Sequence, residues 1–176
     1  MWDERYDTET YVYGREPNSF LVENAARLPR GRVLCLAEGE GRNAVFLAGL
    51  GYDVVAVDSS AVGLEKARRL AEDSNVAIDT VVADLADYPI PESSFAGVVS
   101  IFCHLPPPLR IDLHRRVVDG LEPGGSLLLE AFTPEQLDYR TGGPPNADMM
   151  MTLESLRREL EGLNIEHGRE LIRPVH

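Results

Sequence analysis

The sequence predicts an α/β fold in which helices cover both faces of a doubly wound, mostly parallel sheet. Apolar runs of strand length alternate with helical patterns along the chain, and this alternation is typical of parallel strands joined by helices. The early runs are apolar nearly throughout, as expected for strands that are buried on both faces. The 176 residues, of which 44% are hydrophobic, are enough for one domain with its own core.

The elements follow from local patterns in chain order. Gly51 marks the end of the first helix, Pro108 suits the first turn of a later one, and Thr152 is a typical N-cap. The predicted strands are 32–37, 53–58, 76–83, 95–102 and 126–132, with room for one more over 164–175. The predicted helices are 43–50, from Ser59 or Ser60 to 74, 108–121 and 152–163.

Composition excludes several classes of partner. The formal net charge of −12 argues against general binding to nucleic acid or to an anionic membrane, because phosphate binding requires clustered positive charge. The longest strongly apolar stretch, 95–103, is about half a membrane span. Cys35 and Cys103 lie in apolar runs and are expected to be buried. We expect a reduced, cytoplasmic protein; the sequence leaves its oligomeric state open.

The turn after the first strand is the expected ligand site. In a doubly wound sheet, ligands bind at the carboxyl ends of the strands. Gly39 and Gly41 in this turn allow the backbone to approach a ligand closely. Asp58 ends the second strand, where a carboxylate can accept both hydroxyl protons of a ribose. The pattern predicts an adenosine-bearing cofactor but does not specify which one.

Further segments carry a family resemblance. Asp84 follows the third strand, Phe95 opens the fourth, and Leu121-Glu122-Pro123-Gly124-Gly125-Ser126 leads into the fifth. In this order, together with the glycine turn and Asp58, residues 30–132 resemble the class I S-adenosylmethionine-dependent methyltransferases. The resemblance implies a Rossmann-like fold with S-adenosylmethionine as the cofactor.

Other segments are similar to one branch of that family. Trp2–Tyr6, Tyr13–Asn18, Gly41–Ala44 and Gly142–Pro144 look like the small bacterial branch related to tellurite-resistance and thiopurine methyltransferases. With this resemblance, the chain is expected to be a single methyltransferase domain over 1–176. Its expected parts are an N-terminal lid and helix (1–30), a cofactor-binding core (31–132), a substrate-side lid (133–151) and a C-terminal helix and strand (152–176).

The resemblance also implies a role for individual residues. Gly39 and Gly41 would pass under the methionine part of the cofactor, and Asp58 would hold the ribose. Ser59 and Leu85 would lie against the adenine, whose amino group would donate to Asp84. Tyr11 or Tyr13 and the segment 18–21 would close over the cofactor. The full set of expected cofactor residues is Tyr13, Glu38, Gly39, Glu40, Gly41, Asn43, Asp58, Ser59, Asp84, Leu85 and Phe102.

The sequence departs from the family pattern at three places, one of which is Ala96, where the family has an acid after the phenylalanine of the fourth strand. Cys35 stands where the family has an acid, and Ala37 stands where it has its first glycine. Glu38 or Glu40 either replaces that acid against the cationic cofactor or points to solvent. The family sheet also closes with an antiparallel last strand, whereas this sequence has room for only one strand after Leu163. We therefore expect a sheet without that last strand, or an edge completed in another way.

Methyl transfer is an in-line displacement, so the protein mainly orients the nucleophile and excludes water. We expect a small-molecule acceptor because the sequence shows two short lids and no separate substrate domain. A soft sulfur or chalcogen nucleophile needs no strong base. For an oxygen or nitrogen nucleophile, His104 is the candidate general base, with a structural role as the alternative. Met149–Met151 either line the acceptor pocket or anchor the second lid.

Two other functions compete with methyl transfer. One is a non-catalytic protein that binds S-adenosylmethionine or S-adenosylhomocysteine. A nicotinamide-dependent oxidoreductase is less favoured, because it typically has a third glycine where Ala44 stands. The bases Arg110, His114, Arg115 and Arg116 are expected to form a solvated helix face.

Overall fold

A computed structural model describes residues 2–174 and contains one five-stranded sheet. The strands are β1 Arg32–Leu36, β2 Asp53–Asp58, β3 Asp79–Val82, β4 Phe95–Ile101 and β5 Leu121–Glu130. Their order in the sheet is β3-β2-β1-β4-β5, and every pairing is parallel. The predicted α/β fold is confirmed, and among the described residues no antiparallel strand joins the sheet.

Seven α-helices are found among the described residues. They are α1 Trp2–Tyr6, α2 Ser19–Asn24, α3 Arg42–Gly49, α4 Ala61–Asp73, α5 Pro107–Gly120, α6 Gln136–Tyr139 and α7 Leu153–Glu159. The side chain of Ser60 caps α4 by accepting from the Gly63 N–H, and Thr152 with Ser155 forms a capping box at α7. No helix within residues 2–174 is long and apolar enough to cross a bilayer.

The core lies on both faces of the sheet because successive side chains of each strand point in opposite directions. On β1, Val33 and Cys35 join one buried cluster, whereas Leu34 and Leu36 join the other. Leu64 of α4 packs in the first cluster and the buried side of α5 packs in the second. Cys35 and Cys103 are both free and buried, as predicted.

The structure corrects several predicted bounds. β3 spans only Asp79–Val82 rather than 76–83, and α7 ends at Glu159 rather than at 163. β5 begins at Leu121, five residues before the predicted start, because an irregularity opposite Phe95–Gly97 admits the glycine pair into the strand. Gly124 makes this possible with a φ of +83°.

The strand expected over 164–175 is wrong for the residues described, 164–174, which have no regular structure; residue 175 lies outside the described range. Leu171 and Ile172 are exposed, so this segment has no buried face to fix it as a strand. The outer edge of β5 lies instead along a cavity of about 930 Å³, which the segment also lines.

Candidate functional site

The turn between β1 and α3 has the left-handed backbone that its glycines predict. Ala37, Gly39 and Gly41 have φ angles of +50°, +62° and +89°. A Cβ on Gly41 would lie 2.5 Å from the Cβ of Ala67, so this glycine also lets the turn pack against α4. Ala37 adopts a conformation that costs a non-glycine residue about 1–2 kcal/mol, and it does so where the resemblance expects a glycine.

Asp58 is buried at the carboxyl end of β2, beside this turn. Its Oδ2 accepts the N–H of Gly39 at 2.9 Å and its Oδ1 accepts the N–H of Ser60 at 2.8 Å. Burial raises the pKa of Asp58, and the hydrogen bonds from Ser60 and Gly39 oppose that rise. A carboxylate has about four acceptor positions, so the hydrogen bonds from Gly39 and Ser60 do not fill it.

Glu38 turns inward and caps helix α3. Its Oε1 accepts the N–H groups of Asn43 and Ala44 at 3.0 and 2.7 Å, where the helix dipole favours negative charge. Burial raises the pKa of Glu38 to about 7, although both of these hydrogen bonds lower it. The turn thus carries a carboxyl group that gains or loses its proton near neutral pH.

Glu40 is also turned inward, since it is only 5% exposed. Its Oε1 lies 2.5 Å from Nζ of Lys66, and its Oε2 accepts the N–H of Val12 at 2.7 Å. The alternative that Glu40 points to solvent is therefore wrong. Each oxygen of Glu40 thus has a partner elsewhere in the chain, and the expected contact of Glu40 with the cofactor stays a prediction.

Of two other expected cofactor residues, Asn43 has a structural partner and Ser59 is exposed. Oδ1 of Asn43 accepts the N–H of Asn18 at 2.9 Å, which fixes the start of α2 against α3. Ser59 is exposed, whereas Ser60 beside it is buried and caps α4. The buried serine hydroxyl after the end of β2 is therefore that of Ser60 and not that of Ser59.

A side chain of helix α5 binds the loop that follows β3. Asp84 is exposed and its Oδ1 accepts the N–H of Ala86 at 2.9 Å, while Leu85 is buried in the core. Arg116 donates to the carbonyl oxygens of Leu85 and Tyr88, at 2.7 Å each. The expectation that Arg116 belongs to a solvated face is wrong, because its guanidinium fixes this loop.

The carboxyl end of β4 is strained and aromatic. Phe102 has a φ of +54°, a conformation that costs a non-glycine residue about 1–2 kcal/mol. Its N–H donates to the carbonyl of Glu130 at 2.8 Å, and its ring stacks on Phe132 at 4.6 Å between centroids. The ends of β4 and β5 are thereby joined.

His104 strengthens the same junction. Its Nε2 accepts the N–H of Phe132 at 3.0 Å, so Nδ1 carries the proton and donates to the carbonyl of Phe102 at 3.1 Å. Burial lowers the pKa of His104 to about 4. A general base needs a free ring nitrogen, and the backbone occupies both. The candidate role of His104 as a base is therefore corrected to the structural alternative.

The aromatic residue that contacts the glycine turn is Tyr6, which the sequence analysis did not single out. Tyr6 is 6% exposed, and a Cβ on Gly39 would lie 2.6 Å from its hydroxyl oxygen. Burial raises the pKa of Tyr6. Tyr13, the expected contact, is 46% exposed and lies under the guanidinium of Arg5. From the sequence, Tyr6 was noted only as the last residue of the segment Trp2–Tyr6, which is similar to the small bacterial branch.

The second lid is anchored to the core rather than open. Met150 and Met151 are buried, which favours their anchoring role. Arg110 of α5 is buried as well and donates to the carbonyls of Asp148 and Met150 at 2.8 and 3.3 Å. It also pairs with Glu159 at 2.7 Å. The expected solvated helix face is thus wrong at Arg110 too.

A glycine turn after the central strand, with a carboxylate at the end of the neighbouring strand, defines an α/β domain that binds a nucleoside cofactor. Residues 33–125 match the family described as "Methyltransferase domain", which is just over half of the chain. The chain belongs to this family, and its domain is an S-adenosylmethionine-dependent methyltransferase domain.

Two curated relatives are similar over part of their length. The chain is 36% identical over 91 residues to carboxy-S-adenosyl-L-methionine synthase from Trichlorobacter lovleyi, covering 48% of this chain and 37% of that protein. It is 31% identical over 157 residues to tRNA (uracil(54)-C(5))-methyltransferase from Pyrococcus abyssi, covering 78% and 36%. The chain therefore spans little more than a third of either relative.

A solved structure is similar in both sequence and fold. The CcbJ methyltransferase from Streptomyces caelestis is 31% identical, with a TM-score of 0.59, over 70% of this chain and 55% of that one. The similarity supports the methyltransferase fold of this chain.

Proposed function

We propose that this chain transfers a methyl group from S-adenosylmethionine to a small-molecule acceptor by in-line displacement. The observation that carries the proposal is the position of Asp58. Its carboxylate is fixed by the N–H groups of Gly39 and Ser60, and it keeps acceptor positions for the ribose hydroxyls. Gly39 and Gly41 then lie under the methionine part, and Glu38 supplies negative charge near the sulfonium.

The charge and the lids support a small acceptor. A net charge of −12 opposes the approach of a polyanion, because no counterion release offsets the repulsion. The two segments beside the site, 2–16 and 133–151, are short and anchored by buried side chains. The tRNA acceptor in the name of one relative belongs to a protein of which this chain covers 36%.

The polar groups at the ends of β4 and β5 support a soft nucleophile. Both ring nitrogens of His104 bind backbone groups. The carboxylate of Glu130 is shared between Asn18, at 2.8 Å, and Arg173. Neither group is free to remove a proton, so an acceptor that is already ionised, such as a thiolate or a chalcogen oxyanion, suits this site.

We place the chain, also as a proposal, in the small bacterial branch related to tellurite-resistance and thiopurine methyltransferases. What supports this is the N-terminal segment: Tyr6 lies on the glycine turn, and Asn18, at the end of the second N-terminal motif, is buried against Asn43. Both branch acceptors, a chalcogen oxyanion and an aromatic thiol, are soft nucleophiles.

An acceptor screen with a labelled methyl donor tests the proposal. The panel contains thiols, selenium and tellurium oxyanions, phenols, amines, tRNA and a protein mixture. We expect label on thiols or chalcogen oxyanions. Label on tRNA or protein alone would overturn the small-acceptor proposal, and binding of S-adenosylhomocysteine with no turnover would favour the non-catalytic alternative.

The cofactor site is tested by calorimetry with S-adenosylhomocysteine and NAD. Each hydrogen bond to a charged group contributes about 1.5–3 kcal/mol, so Asp58→Ala is expected to weaken S-adenosylhomocysteine binding at least about tenfold. The matched control is Asp53→Ala, at the exposed start of the same strand. Equal affinity of both variants, or tight NAD binding by the wild type, would contradict the proposed site.

A further inference from the structure

Lys66 is the one lysine of the chain, among 17 lysines and arginines, and it is buried. The residue lies on α4 and is 8% exposed. Its ammonium contacts the carbonyl oxygens of Tyr6, Thr8 and Thr10 at 3.2, 3.1 and 2.7 Å and the carboxylate of Glu40 at 2.5 Å. Four oxygens thus surround one nitrogen.

The arrangement suits an ammonium and not a guanidinium. Lysine presents three N–H donors on a compact charge, whereas arginine presents a planar fork. Three carbonyls of one short segment converge on this point, and Tyr11 adds its ring at 5.1 Å and donates its hydroxyl to the Lys66 carbonyl. Residues 2–12, which we call the strap, are wrapped around this ammonium.

The strap is also tied to the cofactor turn itself. Glu40, which pairs with Lys66, lies between the two glycines, and its second oxygen accepts the N–H of Val12. Tyr6 of the strap lies against Gly39. Oδ1 of Asp3 accepts a hydrogen bond from the hydroxyl of Ser60 at 2.5 Å, and Ser60 lies two residues after Asp58. The strap cannot leave without disturbing the groups that face the cofactor.

We infer that Lys66 is a positioning residue that holds the strap closed over the glycine turn through Glu40, so that release of the cofactor requires this ammonium to leave its oxygen cage. The inference rests on the proposed function, because the site that the strap covers is the proposed cofactor site. Lys66 itself touches no reacting atom.

The single lysine makes the inference directly measurable, because an amine-acylating reagent has one side-chain target. Acylation requires a free Nζ and therefore an open strap. We expect saturating S-adenosylhomocysteine to slow acylation of Lys66, followed by mass spectrometry, at least about tenfold, the factor that corresponds to one charge-assisted hydrogen bond. Arg158→Lys, on the exposed side of α7, supplies a reference amine whose rate stays unchanged.

A variant tests the same point through kinetics. Lys66→Arg keeps the charge but not the shape, and S-adenosylhomocysteine is expected to dissociate from it at least about tenfold faster. Arg69→Met, an exposed change on the same helix, is the control and keeps the wild-type rate. Should Lys66→Arg fail to fold, the acylation measurement on the wild-type chain decides.

The outcomes separate the two proposals. If the wild type binds S-adenosylhomocysteine but acylation of Lys66 is not slowed, the positioning role is overturned and the proposed function stands. A wild-type dissociation rate in Lys66→Arg has the same meaning. If the wild type binds no S-adenosylhomocysteine, the proposed cofactor site itself fails.

Discussion

The strap and the second lid are each held by one buried cation, and the two helices that carry these cations pack on opposite faces of the sheet. In each, one buried cation on a neighbouring helix collects backbone carbonyls of the segment and pairs with a carboxylate. Lys66 of α4 holds three carbonyls and Glu40, whereas Arg110 of α5 holds two carbonyls and Glu159. A compact ammonium suits three converging oxygens, and a planar guanidinium suits a carboxylate beside two others.

The difference lies in where the carboxylate comes from. Glu40 belongs to the glycine turn, so the strap is coupled to the proposed cofactor site. Glu159 belongs to α7, and its Oε2 lies 2.8 Å from Nδ1 of His114. Burial lowers the pKa of His114, and Glu159 opposes that change. The second lid is therefore coupled to a titrating group and to the C-terminal helix, and not to the turn.

The largest expected effects come from breaking either ion pair. Glu40→Gln and Glu159→Gln each leave a buried cation without its counter-charge, which is expected to lower the free energy of unfolding by about 3 kcal/mol or more in each case. Glu40→Gln is also expected to weaken S-adenosylhomocysteine binding, whereas Glu159→Gln should retain it. Urea unfolding and calorimetry measure both; equal losses of affinity would remove the distinction between the lids.

Glu38 and His104 are expected to make the free energy of unfolding depend on pH in opposite directions. In the glycine turn, the pKa of Glu38 rises from 4.5 to about 7 on folding, so the native state binds the extra proton. Stability from this group is complete below pH 4.5 and is lost as the pH rises through 7, by about 1–3 kcal/mol. Urea unfolding at pH 5 and pH 8 should show this loss, and Glu38→Gln should remove it.

Glu161→Gln, an exposed change, is the control for Glu38→Gln and should keep the wild-type dependence. An unchanged slope in Glu38→Gln would mean that another group takes up the proton.

Beyond the end of β4, the pKa of His104 falls from 6.5 to about 4 on folding, so the native state excludes the proton. Stability from this group is complete above pH 6.5 and is lost as the pH falls through 4, by about 1–3 kcal/mol. His104→Gln, whose amide can both donate and accept, should reduce the loss of stability between pH 6.5 and pH 4.5. His167→Gln, at an exposed histidine, should leave it as it is; similar curves for both variants would contradict the assignment.

The smallest expected effect concerns the turn itself. Ala37→Gly removes a left-handed alanine and is expected to stabilise the chain by about 0.5–1 kcal/mol, after the larger entropy loss of glycine is subtracted. The same change in a right-handed helix, Ala48→Gly in α3, should destabilise by about 1 kcal/mol. Thermal unfolding of the pair tests the sign, and a loss of stability in both would refute the strain at Ala37.

The sequence was sufficient where the signal is local. β2 has its predicted bounds because its apolar run is sharply delimited, and the turn at Gly39 and Gly41 has the left-handed backbone that its composition predicts. The position of Asp58 followed from its place at a strand end. These features depend on neighbours within a few residues.

The remainder depends on partners that are distant in the chain. Nothing near Lys66 indicates that three carbonyls from residues 6–10 will surround it, since every residue has a carbonyl. The bases of α5 were expected in solvent because Glu159, the partner of Arg110, lies on another helix. The sequence left His104 open between a candidate base and a structural residue, because the Phe132 N–H that binds its ring nitrogen is a backbone group and has no side-chain signature.

The central strand β1 pairs with β2 on one side and with β4 on the other, and the two pairings close chain segments of different length. β1 pairs with β2 across residues 37–52, but with β4 only across residues 37–94, and the longer closure costs about 1 kcal/mol more in chain entropy. The contact between Gly39 and Asp58 is thus local in the chain, whereas Phe102 and His104 arrive with β4. During synthesis, the ribosome makes Gly39 and Asp58 before it makes Phe102 and His104, so the contact with the shorter closure also has both of its partners first.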